Sequence, residues 1–330
     1  MPVTLRDIAR HLNLSHATVS FVINDRRDVA IPEATRRRVL DAAKELGYQP
    51  NRAARALAKG KTQMVALCIP SSINPFYAEV LSHLQRAISQ ANYDVIYCQA
   101  EYDNSEHVSR LATLSLPVDA IIAIDTLYPK NEIVELPELV GRPFVSLGTF
   151  GSPELDSVLV DLEGGAEAAM KHLLDRGSKK IVFVHPQNLS ITFDPRAIAY
   201  TQSMDGAGLT SETVPTPSGR RGDVREAVKR FVEGNGTPEA IFAYNDQTAI
   251  GAIRALHDLG VKIPQECAVV GCDGIEEAEY MEPPLSTIQL PIREMCEVGW
   301  QMVVDRLEHP ELPIRHEVLP TKLVVRGSSA

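Results

Sequence analysis

The strongest constraint on what this chain can fold into lies in residues 4–62. There Leu5, Ile8 and Leu12 recur at the intervals of one face of an α-helix. Thr4, directly before them, is a residue type that caps helix N-termini. A short helix is therefore predicted at the start of the chain.

Two more short helices are predicted to follow closely. Ser15 is a second capping residue, and Val19 and Val22 lie on one face of the helix after it. A third helix is expected over 32–46, where Gly47 ends it. Two helices joined by so short a turn, with a third as packing partner, form a helix-turn-helix. The pattern also fits an ordinary three-helix fragment.

The distribution of charge favours the first interpretation. Residues 1–61 hold 12 basic and 6 acidic side chains, which gives +6, whereas the rest of the chain carries −16. A basic end on an acidic body is expected when one end binds nucleic-acid phosphates. A run of charge is often only a solvated face, but here it coincides with the helix-turn-helix.

From residue 64 onward, short apolar runs alternate with stretches long enough for helices. The runs are MVALCIP, YDVIYCQA, VDAIIAID, PFVSLG, KIVFVHP, AIFAYND and CAVVGCDG. Helices are predicted at 77–91, 105–115, 163–176, 196–207, 223–234, 247–259 and 292–308. This alternation predicts two doubly wound parallel sheets, with a break near 160–165. Ligands are expected beyond the carboxyl ends of the strands, in a cleft between the two lobes.

Several functional classes are disfavoured. The N-terminus has no apolar signal core and no stretch approaches a membrane span, so a cytoplasmic protein is expected. The cysteines are scattered and form no CxxC pair, which indicates thiols in a reducing compartment rather than a zinc site. Common nucleotide-binding and hydrolase motifs are missing from the sequence, so no enzyme, metal or cofactor is predicted. Unfamiliar hydrolytic chemistry in the cleft remains the alternative.

The chain resembles the LacI/GalR family of bacterial repressors. TLRDIARHLNLSHATVSFVIN is similar to the opening motif of that family and NRAARALAKGKT to its hinge helix. The resemblance implies an all-α helix-turn-helix headpiece and an α/β effector domain with two doubly wound lobes of the periplasmic-binding-protein type. The implied domains are a headpiece at 1–49, a hinge helix at 50–61 and an effector-binding and dimerisation domain at 62–330. Its first lobe would span about 62–161 and 291–323, and its second about 162–290.

The resemblance also implies how the headpiece reads DNA. The second helix would enter the major groove, with base-edge contacts from His16, Ala17 and Phe21. Leu57 of each hinge would wedge into the minor groove. Many relatives have a polar or basic residue in place of Phe21, so the operator sequence cannot be copied from them. The expected DNA-contacting residues are Thr4, Leu5, Ser15, His16, Ala17, Thr18, Ser20, Phe21, Asn24, Asn51, Ala54 and Leu57.

Candidate effector-binding residues lie at the predicted strand ends. They are Ser72, Asn74, Phe76, Tyr77, Asp125, Arg196, Asn245 and Asp273. Arg196, Asn245 and Asp273 match effector positions of the family. An aromatic pair at Phe76 and Tyr77 suits the apolar face of a sugar or a planar base, although both could instead pack in the core. Asp246 could be merely a helix N-cap.

Three departures from the family pattern bear on the ligand. Gly148 and Gly274 stand where the family often has Asp, and Leu290 stands where it often has Gln. These differences remove polar partners and put a plain monosaccharide effector in doubt. Asp125, at the end of the third predicted strand, could supply a replacement carboxylate.

A dimeric, effector-responsive transcription factor is therefore expected, most simply a repressor that binds operator DNA. The sequence does not choose between inducer and corepressor. The alternative is a solute-binding protein that delivers a ligand to a transporter. The basic headpiece and the missing signal peptide disfavour that alternative.

Overall fold

The computed structural model describes residues 3–49, 60–70, 74–103, 108–110, 117–125, 142–187 and 191–330. The chain forms two compact units, Met1–Thr62 and Gln63–Ala330. We call the first the headpiece and the second the effector unit, and describe each by itself.

The headpiece contains three short helices in its described part. They are α1 (Leu5–Leu12), α2 (His16–Ile23) and α3 (Glu33–Glu45). Their apolar stripes meet in a small core centred on Ile8, Val19 and Val39, all fully buried. The predicted helix-turn-helix is thus confirmed, with α1 and α2 joined by a three-residue turn at 13–15.

One basic residue of the headpiece serves the fold. Arg36 is only 6% exposed, and its Nη2 donates to the carbonyl oxygens of Arg26 at 2.7 Å and Val29 at 3.1 Å. These bonds hold the segment between α2 and α3 against the third helix. Arg36 therefore does not contribute an open phosphate-binding side chain to the positive charge of the headpiece.

The first lobe of the effector unit is built on a seven-stranded sheet. Its strands are β1 (Met64–Pro70), β2 (Asp94–Asp103), β3 (Val108–Arg110), β4 (Ala120–Ile124), β5 (Phe144–Gly148), β6 (Asp156–Val160) and β12 (His316–Leu319). They lie in the order β12-β6-β5-β4-β1-β2-β3, parallel except for β3. Helices α4 (Pro75–Gln90) and α9 (Ile292–Glu308) pack against each other and against this sheet.

The second lobe is built on a six-stranded sheet. Its strands are β7 (Ile181–Pro186), β8 (Glu212–Thr216), β9 (Ala240–Ala243), β10 (Ala268–Asp273), β11 (Ser286–Gln289) and β13 (Lys322–Val324). The order is β13-β11-β10-β9-β7-β8, and β13 is antiparallel to β11. Its helices are α5 (Leu162–Asp175), α6 (Pro195–Gly206), α7 (Arg221–Asn235) and α8 (Asp246–Asp258). The predicted architecture of two doubly wound lobes is confirmed.

One predicted helix is wrong. The sequence suggested a helix at 105–115, but Val108–Arg110 is a strand that pairs antiparallel with the end of β2. Its three residues pair with the last three residues of β2, Glu101–Asp103. The segment is long enough for a helix, but length alone does not distinguish a helix from a short strand.

The chain passes between the two lobes after β6, after β11 and between β12 and β13. Two of these crossings are bonded together: the Asp161 amide donates to the Leu319 carbonyl at 2.9 Å, and the Thr321 hydroxyl donates to the Asp161 carbonyl at 2.7 Å. A Cβ at Gly165 would lie 2.3 Å from Oγ1 of Thr321 and 2.7 Å from Cγ2 of Ile288, so only glycine fits there. We call these crossings the interlobe joint, which is distinct from the predicted hinge helix at 50–61.

Among the described residues, none of the helices is both long enough and apolar enough to cross a bilayer.

Candidate DNA-binding surface and effector cleft

The N-terminal part of α2 presents an open polar surface. Ser15, His16 and Ala17 are exposed, while Val19 and Val22 are buried in the headpiece core. The Ser15 hydroxyl accepts a hydrogen bond from the backbone amide of Thr18 at 3.0 Å, which fixes the start of the helix. The exposed N-terminus of α2 is therefore capped.

The following turn of α2 carries side chains that bond to each other. Asn24 Nδ2 donates to the carbonyl oxygen of Ser20 at 2.9 Å, and its contact with the Ser20 hydroxyl is 3.3 Å. Phe21 is half-buried, and the guanidinium carbon of Arg26 lies 5.8 Å from its ring centre. This pairing places a positive charge beside the aromatic side chain.

The two expected contacts on α1 have different surroundings. Thr4 is exposed, and its amide and hydroxyl both donate to the Asp7 carboxylate, at 3.0 and 2.7 Å. These bonds lower the pKa of Asp7. Leu5 packs partly against the headpiece core, as expected of a residue on the apolar face of α1, and the rest of its side chain is open.

Four further candidates lie outside the described residues, namely Asn51, Ala54, Leu57 and Ser72.

The second-lobe edge of the cleft is organised around a buried ion pair. Arg196 is 5% exposed and donates through Nε and Nη2 to the two carboxylate oxygens of Asp194, at 2.9 and 2.8 Å. Its Nη1 donates to the Tyr244 carbonyl at 3.0 Å, and its guanidinium carbon lies 3.7 Å from the centre of the Tyr244 ring. All three guanidinium nitrogens of Arg196 thus donate hydrogen bonds to groups of the protein itself.

Asp194 was missed in the sequence. Burial opposes its ionisation, but the charge and hydrogen bonds of Arg196 outweigh burial and lower its pKa. It also caps α6, since its carboxylate accepts from the Arg196 amide at 2.9 Å. The signal was present, because an Asp followed by Pro195 is a common way to begin a helix.

Asn245 and Asp246 both have structural roles at the start of α8. Asn245 caps α8, because its Oδ1 accepts from the Thr248 amide at 2.9 Å. Asp246 is fully buried and accepts from the amides of Gly274 and Ile275, at 2.8 and 3.0 Å, and from the Thr287 hydroxyl at 2.6 Å. Burial nevertheless raises its pKa to about 7. The alternative that Asp246 is merely an N-cap is wrong, since it fixes the loop after β10.

Asp273 joins the two lobes. It ends β10 with φ +123° and accepts a hydrogen bond from Nδ2 of Asn74 at 2.9 Å. Asn74 belongs to the first lobe, where its Oδ1 accepts from the Phe76 amide and caps α4. Burial, followed by the charge of Asp246, raises the pKa of Asp273 well above its usual value.

Asp125 occupies the first-lobe edge of the cleft. Its Oδ1 accepts from the Thr149 amide at 2.8 Å, and the Tyr77 hydroxyl is 3.5 Å from its Oδ2. A Cβ at Gly148 would lie 2.2 Å from Oδ1 of Asp125, so the carboxylate fills the space of a side chain at position 148. Burial raises the pKa of Asp125, although the hydrogen bond from the Thr149 amide and the positive charge of Arg196 oppose that shift.

The two aromatic candidates, Phe76 and Tyr77, have different environments. Phe76 is 3% exposed and belongs to the main core, which supports the alternative that it serves packing. Tyr77 is half-buried, meets Phe76 edge-on with 5.1 Å between ring centres, and directs its hydroxyl to Asp125.

The cleft therefore brings together Asn74, Tyr77, Asp125, Arg196 and Asp273. His185, the penultimate residue of β7, is buried and stacks on Phe183 with 5.6 Å between ring centres. The described residues contain no cluster of His, Cys, Asp and Glu arranged to hold a metal ion. The arrangement suits hydrogen bonding to a ligand.

Comparisons with known proteins agree with both units. Residues 4–51 match "Bacterial regulatory proteins, lacI family", and residues 170–329 match a periplasmic binding protein-like domain. The chain is also 30% identical to the ribose operon repressor of Escherichia coli (strain K12), over 99% of each chain.

The chain belongs to the LacI family of bacterial regulatory proteins.

Solved structures of LacI-family regulators share its fold. A lac repressor dimer bound to operator and the anti-inducer ONPF matches with a TM-score of 0.84 at 22% identity, covering 100% of this chain and 99% of that one. A transcriptional regulator in complex with cellobiose matches with a TM-score of 0.67 at 26% identity, covering 99% of each. This LacI-family chain is accordingly a DNA-binding transcriptional regulator and not an enzyme.

Proposed function

We propose that this regulator represses transcription by placing α2 in the major groove of operator DNA. The observation that carries the proposal is the open face of α2, where His16 and Ala17 are exposed on a helix whose other face is locked in the core. An exposed, capped helix N-terminus with polar side chains suits base-edge contacts, and Ala17 and Phe21 suit a thymine methyl.

The regulator would act as a homodimer, with one headpiece on each half-site. Residues 1–49 would form the DNA-binding domain, 50–61 the hinge helix, and 62–330 the effector and dimerisation domain. A hinge of about ten residues is marginal as an isolated helix in water, so it would fold when it pairs with its twin against DNA. Leu57 would then wedge into the minor groove, while Asn51 and Ala54 would face the same groove.

The effector would be sugar-like and rich in hydroxyl groups. Asp125 is half-buried and Asp273 is buried, and they lie at opposite edges of the cleft, where carboxyl oxygens accept hydrogen bonds from hydroxyls. The fork of Arg196 is already occupied by Asp194, so the cleft offers little to a ligand carboxylate or phosphate. The ribose operon repressor and the cellobiose-bound regulator among the similar proteins support a sugar.

Asp125 would also replace the carboxylate that is missing at Gly148, whose absence had put a monosaccharide effector in doubt. Its carboxylate reaches the space that an Asp at 148 would use, from the neighbouring strand. The protein would work in the cytoplasm, where both its DNA and its metabolite are found.

Selection of binding sites from a random duplex pool tests the DNA-binding role. The full chain should enrich a palindromic site, because a dimer presents two headpieces related by twofold symmetry. Phe21→Ala should change the preferred bases, whereas Leu57→Ala should weaken binding to the selected site much more than binding to random duplex. Recovery of no preferred sequence would favour a solute-binding protein instead.

A thermal-shift panel of pentoses, hexoses, disaccharides, sugar phosphates and nucleobases tests the effector. A neutral sugar should raise the melting temperature and change operator affinity, because a ligand that prefers one state shifts the equilibrium between them. Stabilisation by sugar phosphates or nucleobases alone would contradict the assignment.

A further inference from the structure

Two cysteines lie directly opposite each other in the first-lobe sheet. Cys68 of β1 pairs with Cys98 of β2 in the parallel register. Both side chains contact the same apolar cluster, which places them on one face of the sheet. Neighbouring strands lie about 4.8 Å apart. That spacing falls inside the range of about 4.4–6.8 Å between Cα atoms that a disulfide accepts.

The two thiols differ in their accessibility and acidity. Cys68 is fully buried, whereas Cys98 is half-exposed. A hydrogen bond with the Cys68 thiol lowers the pKa of Cys98 by more than burial raises it. The pair therefore has one thiol that an oxidant can reach and one held behind it.

The remaining cysteines have a different environment. Cys267, Cys272 and Cys296 are all buried. Burial raises the pKa of Cys267 and of Cys296 to about 12, and raises that of Cys272 well above its usual value. Thiols of this kind are poor nucleophiles near neutral pH.

We propose that Cys68 and Cys98 form a reversible redox site, in which a hydroperoxide converts the two thiols to a disulfide. The Cys98 thiolate attacks one peroxide oxygen, the O–O bond breaks, and the leaving oxygen departs as an alcohol or water after taking a proton. The resulting Cys98 sulfenic acid is attacked by the Cys68 sulfur. The S–O bond breaks, water leaves with the Cys68 proton, and the S–S bond forms.

Peptide mapping of the full chain tests this site. Trypsin cuts after Lys61, Arg86 and Arg110, so Cys68 and Cys98 fall in separate peptides with one cysteine each. After treatment with dilute hydrogen peroxide and alkylation, peptides 62–86 and 87–110 should be linked, with the loss of two hydrogen atoms. Dithiothreitol should separate them. Cys267, Cys272 and Cys296 should remain alkylatable in denaturant.

Serine variants assign the roles. Cys98→Ser should leave no oxidised product at Cys68, whereas Cys68→Ser should leave a Cys98 sulfenic acid that dimedone traps. Cys296→Ser, which removes a buried thiol outside the pair, should still form the link. Free Cys68 and Cys98 in the wild-type chain after excess peroxide, or earlier oxidation of any other cysteine, would overturn the proposal without recourse to a variant.

Discussion

The two edges of the effector cleft are built differently. On the second-lobe edge, Arg196 is held by Asp194 and Asp246 by the loop after β10, all within one lobe. On the first-lobe edge, Asp125 accepts from the Thr149 amide, and Asn74 reaches across to the other lobe. Asp194, Asp246 and Asp125 are thus held within their own lobes, whereas the bond from Asn74 to Asp273 depends on the two edges meeting. Specificity would therefore come from the groups held within each lobe, and signalling from the contact between the lobes.

The largest expected effect follows from breaking the second-lobe ion pair. Arg196→Ala leaves the Asp194 carboxylate, which is 4% exposed, without its cation. Loss of one partner of a buried pair costs about 3–5 kcal/mol of stability. Urea unfolding of the full chain should show this loss, and the effector response should disappear while operator binding at low temperature remains.

A double variant sharpens this prediction. Adding Asp194→Asn to Arg196→Ala removes the stranded charge, so part of the stability should return although the effector response does not. Equal stability of the single and double variants would show that the pair does not organise this edge.

The next effect is a dependence of stability on pH. Burial raises the pKa of Asp246 from 3.8 to about 7 and also raises those of Asp125 and Asp273. A carboxyl group with a raised folded-state pKa contributes stability that is present below its unfolded pKa and lost as pH rises through the folded value. The free energy of unfolding should fall between about pH 4 and pH 7.

Asp246→Asn isolates the contribution of one carboxyl group to this slope. As pH rises over that window, the unfolding free energy of the wild type should fall relative to that of the variant. A difference that does not change with pH would place the titration on other groups.

A smaller effect tests the first-lobe edge. Asp125→Asn keeps the shape of the side chain but removes its charge, and a hydrogen bond to a charged group contributes about 1.5–3 kcal/mol. Calorimetric titration of the effector should show that loss of affinity, with little change in unfolding. Tyr77→Phe removes the long contact at 3.5 Å and serves as the control with a weaker effect. A larger loss for Tyr77→Phe would reverse the assignment.

The smallest expected effect concerns the contact between the lobes. Asn74→Asp retains an oxygen that can cap α4 but replaces the amide donor to Asp273 with a carboxylate. Loss of that donor removes the hydrogen bond between the lobes, which should favour an open cleft and change operator affinity without effector. Asn74→Ala loses both the cap and the bridge, at a cost of about 1 kcal/mol in stability. Matching operator affinities for wild type and Asn74→Asp would show that this bridge does not bias the lobes.

Local patterns predicted most elements because their physical causes are local. The stripe of α2 and the caps at Thr4 and Ser15 were readable, since helix periodicity and capping act within a few residues. The sequence did not predict the strand at Val108–Arg110, because three residues are too short to show an alternating pattern and the strand is defined by its pairing with β2.

The sequence predicted several residues of the cleft but not the groups to which they hydrogen-bond. Arg196 and Asp273 were found by family resemblance, yet the hydrogen bond from Asn74 to Asp273 joins residues 199 positions apart and leaves no local trace. The role of Asp246 was misjudged for the same reason, since its partners Gly274 and Thr287 come from later strands and loops.

The bonded crossings between the lobes limit what a ligand can communicate. Asp161, Thr321 and the tightly packed Gly165 tie adjacent passages together, so shear between the lobes would break these contacts, whereas a rotation about them would not. Such a joint favours rotation of one lobe against the other over sliding. Chemically different ligands would then differ mainly in how far they rotate the lobes, and operator affinity would follow that angle.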